Sequence, residues 1–269
     1  MPLGPDRRRR VGGQNDATRT QEFEIDRRPL PDLTATPRGG RAGYAGEDST
    51  WSRDRLSRHH IISAHNFAES ADQLEQSDPG EQPVEEKWRY RAYVTAAVLS
   101  AAGYLEAAIN ELYLELQKVT QSEDSHLRHE LALLVNAWPQ IVNSPVLQKY
   151  QIALSVTDAD QYNEDASPYV EAEGLIRLRD ALLSYSADWD DSRGRHQVLE
   201  ARLKDAFKPS PMVSSQRPWF PDRCLGAGCA TWAVKTAQLF ANDFYRRMAL
   251  PGRPLVGGAD KAILAENGE

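Results

Sequence analysis

The chain has 269 residues, a formal net charge of −7 and 26% charged residues, with a mean hydropathy of −0.60. A good fraction of it must stay solvated, so a single hydrophobic core is expected. No apolar run approaches the roughly 18 residues that span a bilayer and the N-terminus lacks an apolar signal core, which points to a cytoplasmic protein with no membrane partner. Cys224 and Cys229 are the only cysteines, too few for a disulfide framework and suited to a reducing compartment.

Charge is unevenly spread. Residues 1–60 carry 12 Lys and Arg against 9 Asp and Glu, whereas the rest carries 20 against 30. An acidic folded part argues against a broad phosphate-tracking surface but leaves room for a small basic pocket. Residues 1–85 hold an arginine run at 7–10, Gly12-Gly13, Pro29, Pro31 and Pro79-Gly80, with no apolar periodicity long enough to offset the entropy of ordering. They are expected to form a disordered arm. The exception is 53–74, where Leu56, Ile61, Ile62, Phe67 and Leu74 predict one or two short helices. His59, His60 and His65 have a suggestive spacing, but no thiol or carboxylate cluster completes a metal shell.

The ordered domain is expected over 86–250, starting with a long helix at 87–119. Val94, Val98, Ala101, Leu105, Ala108 and Leu112 repeat in steps of four and three, the seam of a helical bundle. The small residues Ala96, Ala97, Ala101, Ala102 and Gly103 invite close approach by another helix. Beside the seam, Glu106, Asn110 and Tyr113 stack on one polar ridge. A helix at 125–138 is expected to close at Pro139. Ser144-Pro145 and Ser167-Pro168 each read as an N-cap followed by proline, opening helices through about 154 and at the central stretch. Residues 157–166 read as an acidic loop.

In the central stretch, 174–189, Leu175, Leu178, Leu182 and Tyr185 share one helical stripe, with Arg179 at its edge. A turn at 190–194, a short helix at 196–207 and an extended Pro-rich loop at 208–221 follow. The last helix should bury Trp232, Thr236, Leu239, Phe240, Phe244 and Met248, and 251–269 reads as a flexible tail. Before it, the loop 223–229 has two readings. Arg223 with Gly226 and Gly228 at a helix N-terminus could hold a phosphate, or the glycines could serve a tight turn with Cys224 and Cys229 buried. An exposed cysteine pair would add a redox switch.

Three stretches, SAAGYLEAAINELY at 100–113, IRLRDALLSYSADW at 176–189 and WFPDRCLGAGC at 219–229, together resemble the HEPN-like bacterial proteins, all-α bundles that often act as RNA-cleaving toxins or defence ribonucleases. The resemblance covers roughly 90–248 and implies an all-α, HEPN-like antiparallel helical bundle with no cofactor. In that family an arginine followed four to six residues later by a histidine forms the active pair. Arg179 matches the arginine, Asp180 the polar residue after it, and Ser184 stands where the histidine belongs; Glu106 is the carboxylate expected opposite Arg179. Asn110, Tyr113, Tyr185 and Arg223 are the accompanying binding residues. The expected partners are RNA, a nucleotide or another protein, with the chain paired as a homodimer. A hydroxyl without a base cannot exchange protons near neutral pH, so the first expectation is a bundle whose nuclease chemistry is lost and which binds without cutting. The alternatives are a weak, metal-independent endoribonuclease using Arg179 with Ser184, Tyr185 or His196, and a purely structural bundle in which Arg179 pairs with Glu106.

Overall fold

The spine of the molecule is the long helix whose seam the sequence marks. The computed structural model describes residues 55–77, 83–120, 129–185 and 194–248, and among these it contains seven α-helices and no strand: α1 (Leu56–Gln76), α2 (Val84–Thr120), α3 (His129–Ile141), α4 (Val146–Val156), α5 (Tyr169–Leu183), α6 (Arg195–Leu203) and α7 (Ala227–Arg247), with a short turn at Trp219–Arg223 before α7. All six predicted seam residues of α2, from Val94 to Leu112, are buried. By length and composition α2 could cross a bilayer over Val84–Gln117. It instead packs against α1, α3, α4, α5 and α7, the position of a core helix.

The bundle begins earlier than residue 86. Residues 56–76 form one helix whose buried positions are Ser57, Ile61, Ala64, Ala68 and Ala71, a seam of mostly small side chains that faces the small residues of α2. His60 lies so close to Gly103 that a Cβ there would meet its ring at 3.3 Å. The apolar residues expected to drive this segment contribute less, and Leu56 is largely exposed. Backbone proximity, not large side chains, makes this pairing. Residues 1–54 of the arm predicted over 1–85, the tail predicted at 251–269 and residues 190–193 of the turn predicted at 190–194 lie outside the described residues.

Helix directions are mixed rather than uniformly antiparallel. Ser57 bonds Glu111 and Tyr90 bonds Glu75, so α1 and α2 run antiparallel. Ala227 meets Tyr90 and Tyr245 meets Ala108, so α7 runs parallel to α2. Tyr150 packs edge-on against Phe240 and Phe244 with ring centroids 5.0 and 4.7 Å apart, joining α4 to α7 in the core.

Several expected boundaries shift. Helix α3 runs through Pro139 to Ile141, because a proline in the last turn removes only one ladder bond. Neither Ser144 nor Ser167 caps: Pro145 and Pro168 are the residues ahead of α4 and α5, with no side-chain cap bond. Of the α5 stripe, Leu175 and Leu178 are buried whereas Tyr185 is exposed. On α7, Leu239 is exposed and Trp232 half-buried.

The start of α7 is tied to two other helices. The Ala227 N–H donates to Glu75 Oε2 at 2.9 Å and to the Tyr90 hydroxyl at 3.1 Å, while Tyr90 bonds Glu75 and lies 3.1 Å from Ser210 Oγ. A carboxylate from α1 thereby does the work of an N-cap. At its other end α7 carries Asp243, which Arg247 and Arg246 contact; burial alone would raise this carboxyl, but hydrogen bonds and charge from the two arginines hold it below 3.8. Arg247 also stacks over Tyr162 at 4.5 Å.

Three variants test these contacts. Glu75→Ala should cost about 1–3 kcal/mol in denaturant unfolding, and Gly226→Ala a similar amount, since its Cβ would lie 2.9 Å from the Ser210 backbone. Because the Asp243 pKa is depressed, its stabilising effect is present above its ordinary value and is lost as pH falls through the folded-state value. The stability gap between wild type and Asp243→Asn, about 1 kcal/mol or less, should be flat above about pH 5 and shrink below 3.8.

Candidate functional site

The ridge of α2 meets α4 and α5 at a polar cluster. Glu106 takes two cations at once: Arg179 Nη1 of α5 lies 3.6 Å from Oε2, and Lys149 Nζ of α4 lies 3.6 Å from Oε1. Lys149 is the buried member, 3% exposed at its side chain against 44% for Glu106. Its ammonium donates to Asn110 Oδ1 at 3.0 Å and stands 5.7 Å above the Trp138 ring. Trp138 in turn stacks on Tyr113 with centroids 4.3 Å apart, and the Tyr113 hydroxyl donates to the Lys149 carbonyl at 3.4 Å. Burial pushes the Tyr113 phenol well above its ordinary value, so it remains a neutral donor.

Arg179 is held on its other side by Asp180, whose Oδ1 accepts from Nε at 2.9 Å and lies 2.7 Å from Nη2. The guanidinium thus faces two carboxylates, one across the helix interface and one beside it in sequence. The network expected to be buried is only partly so: Asp180 is 58% exposed at its side chain and Arg179 20%.

Ser184 is not brought to Arg179. It caps the C-terminus of α5, exposed, and its hydroxyl donates to the Asp180 carbonyl at 2.6 Å. Five residues separate the two positions, which puts them about 140° apart around a helix. Ser184 instead lines a groove of about 350 Å³ with Asp180, Tyr185, His196 and the arginines 177, 195 and 202. Tyr185 stacks with His196 at 6.3 Å and meets Phe220 edge-on at 6.1 Å. Asp180 is the one residue that both touches Arg179 and lines this groove.

Arg223 joins neither arrangement. It ends the turn before α7, and its carbonyl accepts from the Ser210 N–H at 2.7 Å. The glycine loop beside it serves packing: Cβ atoms at Gly226 and Gly228 would lie 2.9 Å from Ser210 and 3.0 Å from the Lys208 carbonyl. With Ala227 N–H already bonded to a carboxylate, this N-terminus has an anion of its own. Asp222, buried, fastens the loop to α2 through Arg91 at 2.8 Å and to Arg217 at 3.1 Å. Cys224 and Cys229 are buried free thiols; burial pushes Cys224 up to about 12 and Cys229 upward as well, which removes the thiolate that redox exchange requires. Among the described residues no group of three or more His, Cys, Asp or Glu is clustered for a metal, and His65 pairs with Glu69 at 3.2 Å.

Lys149 and His196 are the residues the sequence ranked too low. Lys149 sits between Val146 and Ala153 on an otherwise apolar face of α4, and a charge at a core position was its signal. His196 comes to line the same groove as Ser184 because α6 packs back on α5.

The burial difference sets an order of stabilities. Lys149→Ala should cost about 2–4 kcal/mol by emptying a buried site, whereas Arg179→Ala should cost about 1 kcal/mol or less because Glu106 stays in reach of water. Urea unfolding of both variants measures this, and equal costs would contradict the assignment of Lys149 as the buried partner.

Comparison with protein-family models, with curated proteins and with solved structures finds no match to this chain.

Proposed function

We propose that this chain is a HEPN-like protein whose ribonuclease chemistry is lost, and that it acts as a non-catalytic module binding RNA, a nucleotide or a protein partner in a bacterial stress or defence setting. The observation that carries this reading is that both halves of the expected active pair are already engaged within the fold. Arg179 is neutralised by Glu106 and Asp180, so it has no spare charge for a phosphorane, and Ser184 opens elsewhere with a hydroxyl spent on a backbone carbonyl. RNA cleavage at the 2′-hydroxyl needs a group that titrates near neutrality beside a cation. Leu183, Tyr185 and Val198, all substantially exposed, form an apolar rim near the Ser184 groove that a second copy of the chain or another protein would cover. A cytoplasmic location goes with this reading and with two cysteines held as free thiols.

A second reading has its own support. His196 lines the Ser184 groove together with three arginines, and an imidazole among cations is suited to proton transfer on a phosphodiester. On that reading the chain is a weak, metal-independent endoribonuclease of the toxin or phage-defence kind.

The deciding measurement is cleavage and filter binding of structured and single-stranded RNA by the full chain, with Ser184→His, Arg179→Ala and His196→Ala alongside. RNA retained without cleavage by wild type, and continued silence from Ser184→His, is the expected result. Cleavage abolished in His196→Ala would establish the ribonuclease. Absence of both binding and cleavage would leave the Glu106 cluster as helix pairing alone.

A further inference from the structure

A groove of about 750 Å³, larger than the one at Ser184, lies between the start of α5, the segment after α6 and the outer face of α7. Gly228, Thr231, Lys235 and Leu239 follow one another along it in steps of three and four, so a single α7 face runs beside it for about 16 Å of helix axis. Trp232 lies in the same stretch, half-buried. Phe207 braces it at a centroid distance of 5.1 Å, and α5 approaches it closely at Gly174, where a Cβ would lie 3.9 Å from the indole ring. Leu239 is 64% exposed, which adds an apolar surface one turn beyond Lys235.

The charges that line the groove cancel: Asp72, Glu171 and Asp205 stand against Arg202, Lys208 and Lys235. A lining without net charge exerts no long-range pull on an anion or a cation. What the groove does offer is hydroxyl groups without partners. Ser167, Thr231 and Thr236 line it, and none of their hydroxyls makes a hydrogen bond among the described residues. Ser167 is exposed and Thr231 half-buried. Thr236 is only 6% exposed, yet its oxygen is not sealed, because among the described residues the side-chain atoms shut off from solvent without a partner belong to Tyr104, Glu171 and Arg202 alone. The Thr236 hydroxyl therefore opens onto the groove, and its hydrogen bonds must come from what fills that space.

We propose that this groove binds a neutral oligosaccharide of gluco-configured pyranose rings. Such a ring carries its hydroxyls around the edge and C–H groups on its faces, and those faces pack on an indole ring as other apolar surfaces do. Trp232 supplies the indole, and Leu239 extends the apolar strip. Sugar hydroxyls both donate and accept hydrogen bonds. Serine and threonine hydroxyls do the same, while the exposed lysines donate and the exposed aspartates accept, so either need of a sugar hydroxyl finds an answer along the rim. A nucleotide or a polyamine would bring a charge that the balanced lining does not answer. The α7 face runs well beyond the width of one six-membered ring, which points to a chain of sugars rather than a monosaccharide. None of this rests on the reading of Arg179 and Ser184, and it would stand if RNA neither binds nor is cut at the other groove.

The test is calorimetric titration of the full chain with cellotriose, maltotriose and tri-N-acetylchitotriose, alongside adenosine, AMP and spermidine as flat uncharged, anionic and cationic comparisons. Wild type should bind at least one trisaccharide with a Kd below about 1 mM, and its affinity should hold between low salt and about 0.3 M salt. Trp232→Phe should weaken that binding about threefold or more, and Thr231→Val and Thr236→Val about two- to tenfold each. Because the Thr236 hydroxyl has no partner within the fold, Thr236→Val should melt at the wild-type temperature or above it, which separates a lost ligand contact from a damaged structure. The proposal is overturned if no trisaccharide binds, if adenosine, AMP or spermidine binds more tightly than all three, or if affinity falls with salt. It is equally overturned if both threonine variants bind as wild type does, or if Thr236→Val melts lower, which would show its hydroxyl already satisfied within the fold.

Discussion

The structure hangs on the junction where α1, α2, the loop at 208–210 and α7 meet. One N–H, that of Ala227, is shared between a carboxylate from α1 and a phenol from α2, and the same phenol reaches Ser210. Burial drives the Tyr90 hydroxyl further from ionisation, with Glu75 adding to the effect, so it stays a donor to Glu75 and an acceptor from α7. A helix N-terminus has unpaired N–H groups that must be met by something, and here residues 152 and 137 positions away in sequence meet them. Formation of α7 is thereby coupled to docking of α1. The loop can lie against this junction because Gly226 and Gly228 present no side chain to it, and that loop forms one wall of the larger groove. Groove and junction are consequences of the same packing.

The Glu106 cluster obeys a different logic. A lysine almost wholly removed from water requires its charge to be answered, and the answer comes from an amide at hydrogen-bond distance, a half-exposed carboxylate and an aromatic face. Glu106 cannot move toward Arg179 without weakening its hold on Lys149. The arginine accordingly leans on Asp180 for its shorter contacts. Such a three-helix tie fixes the relative rotation of α2, α4 and α5, and in doing so consumes the positive charge that an anionic substrate would need.

Much of this was legible in the sequence where one helix faces one apolar neighbour. The α2 seam follows from steps of three and four residues, which place side chains on a common face, whereas the Glu106–Arg179 contact was expected only from the resemblance carried by 100–113 and 176–189. The α1 seam was harder to read because alanine pattern carries little hydropathy contrast, and Leu56, the most obvious apolar letter, points to solvent. Ser144 and Ser167 carry the letters of an N-cap without its bonds, since capping depends on local dihedrals that the dipeptide does not dictate. Nothing in the letters announces that Glu171, near the start of a helix where an acid is electrostatically welcome, has an oxygen sealed from water. Orphaned atoms are properties of the assembled fold.

Helix geometry also bears on the proposed loss of ribonuclease chemistry. Were the chain merely short of a histidine, replacing Ser184 would complete a pair already aimed at Arg179. Both positions are instead already committed, Arg179 to Glu106 and Asp180 and Ser184 to the Asp180 carbonyl, and the turn carrying Ser184 lines a groove with His196. Rebuilding a cation beside a proton-transfer group would require unwinding the end of α5 or breaking the contacts of Arg179 with Glu106 and Asp180. The first would disturb the cap bond from Ser184 to the Asp180 carbonyl, and the second would leave Glu106 to Lys149 alone. The proposed inactivity would on this view be built into the pairing of α2, α4 and α5, which holds Arg179 between two carboxylates.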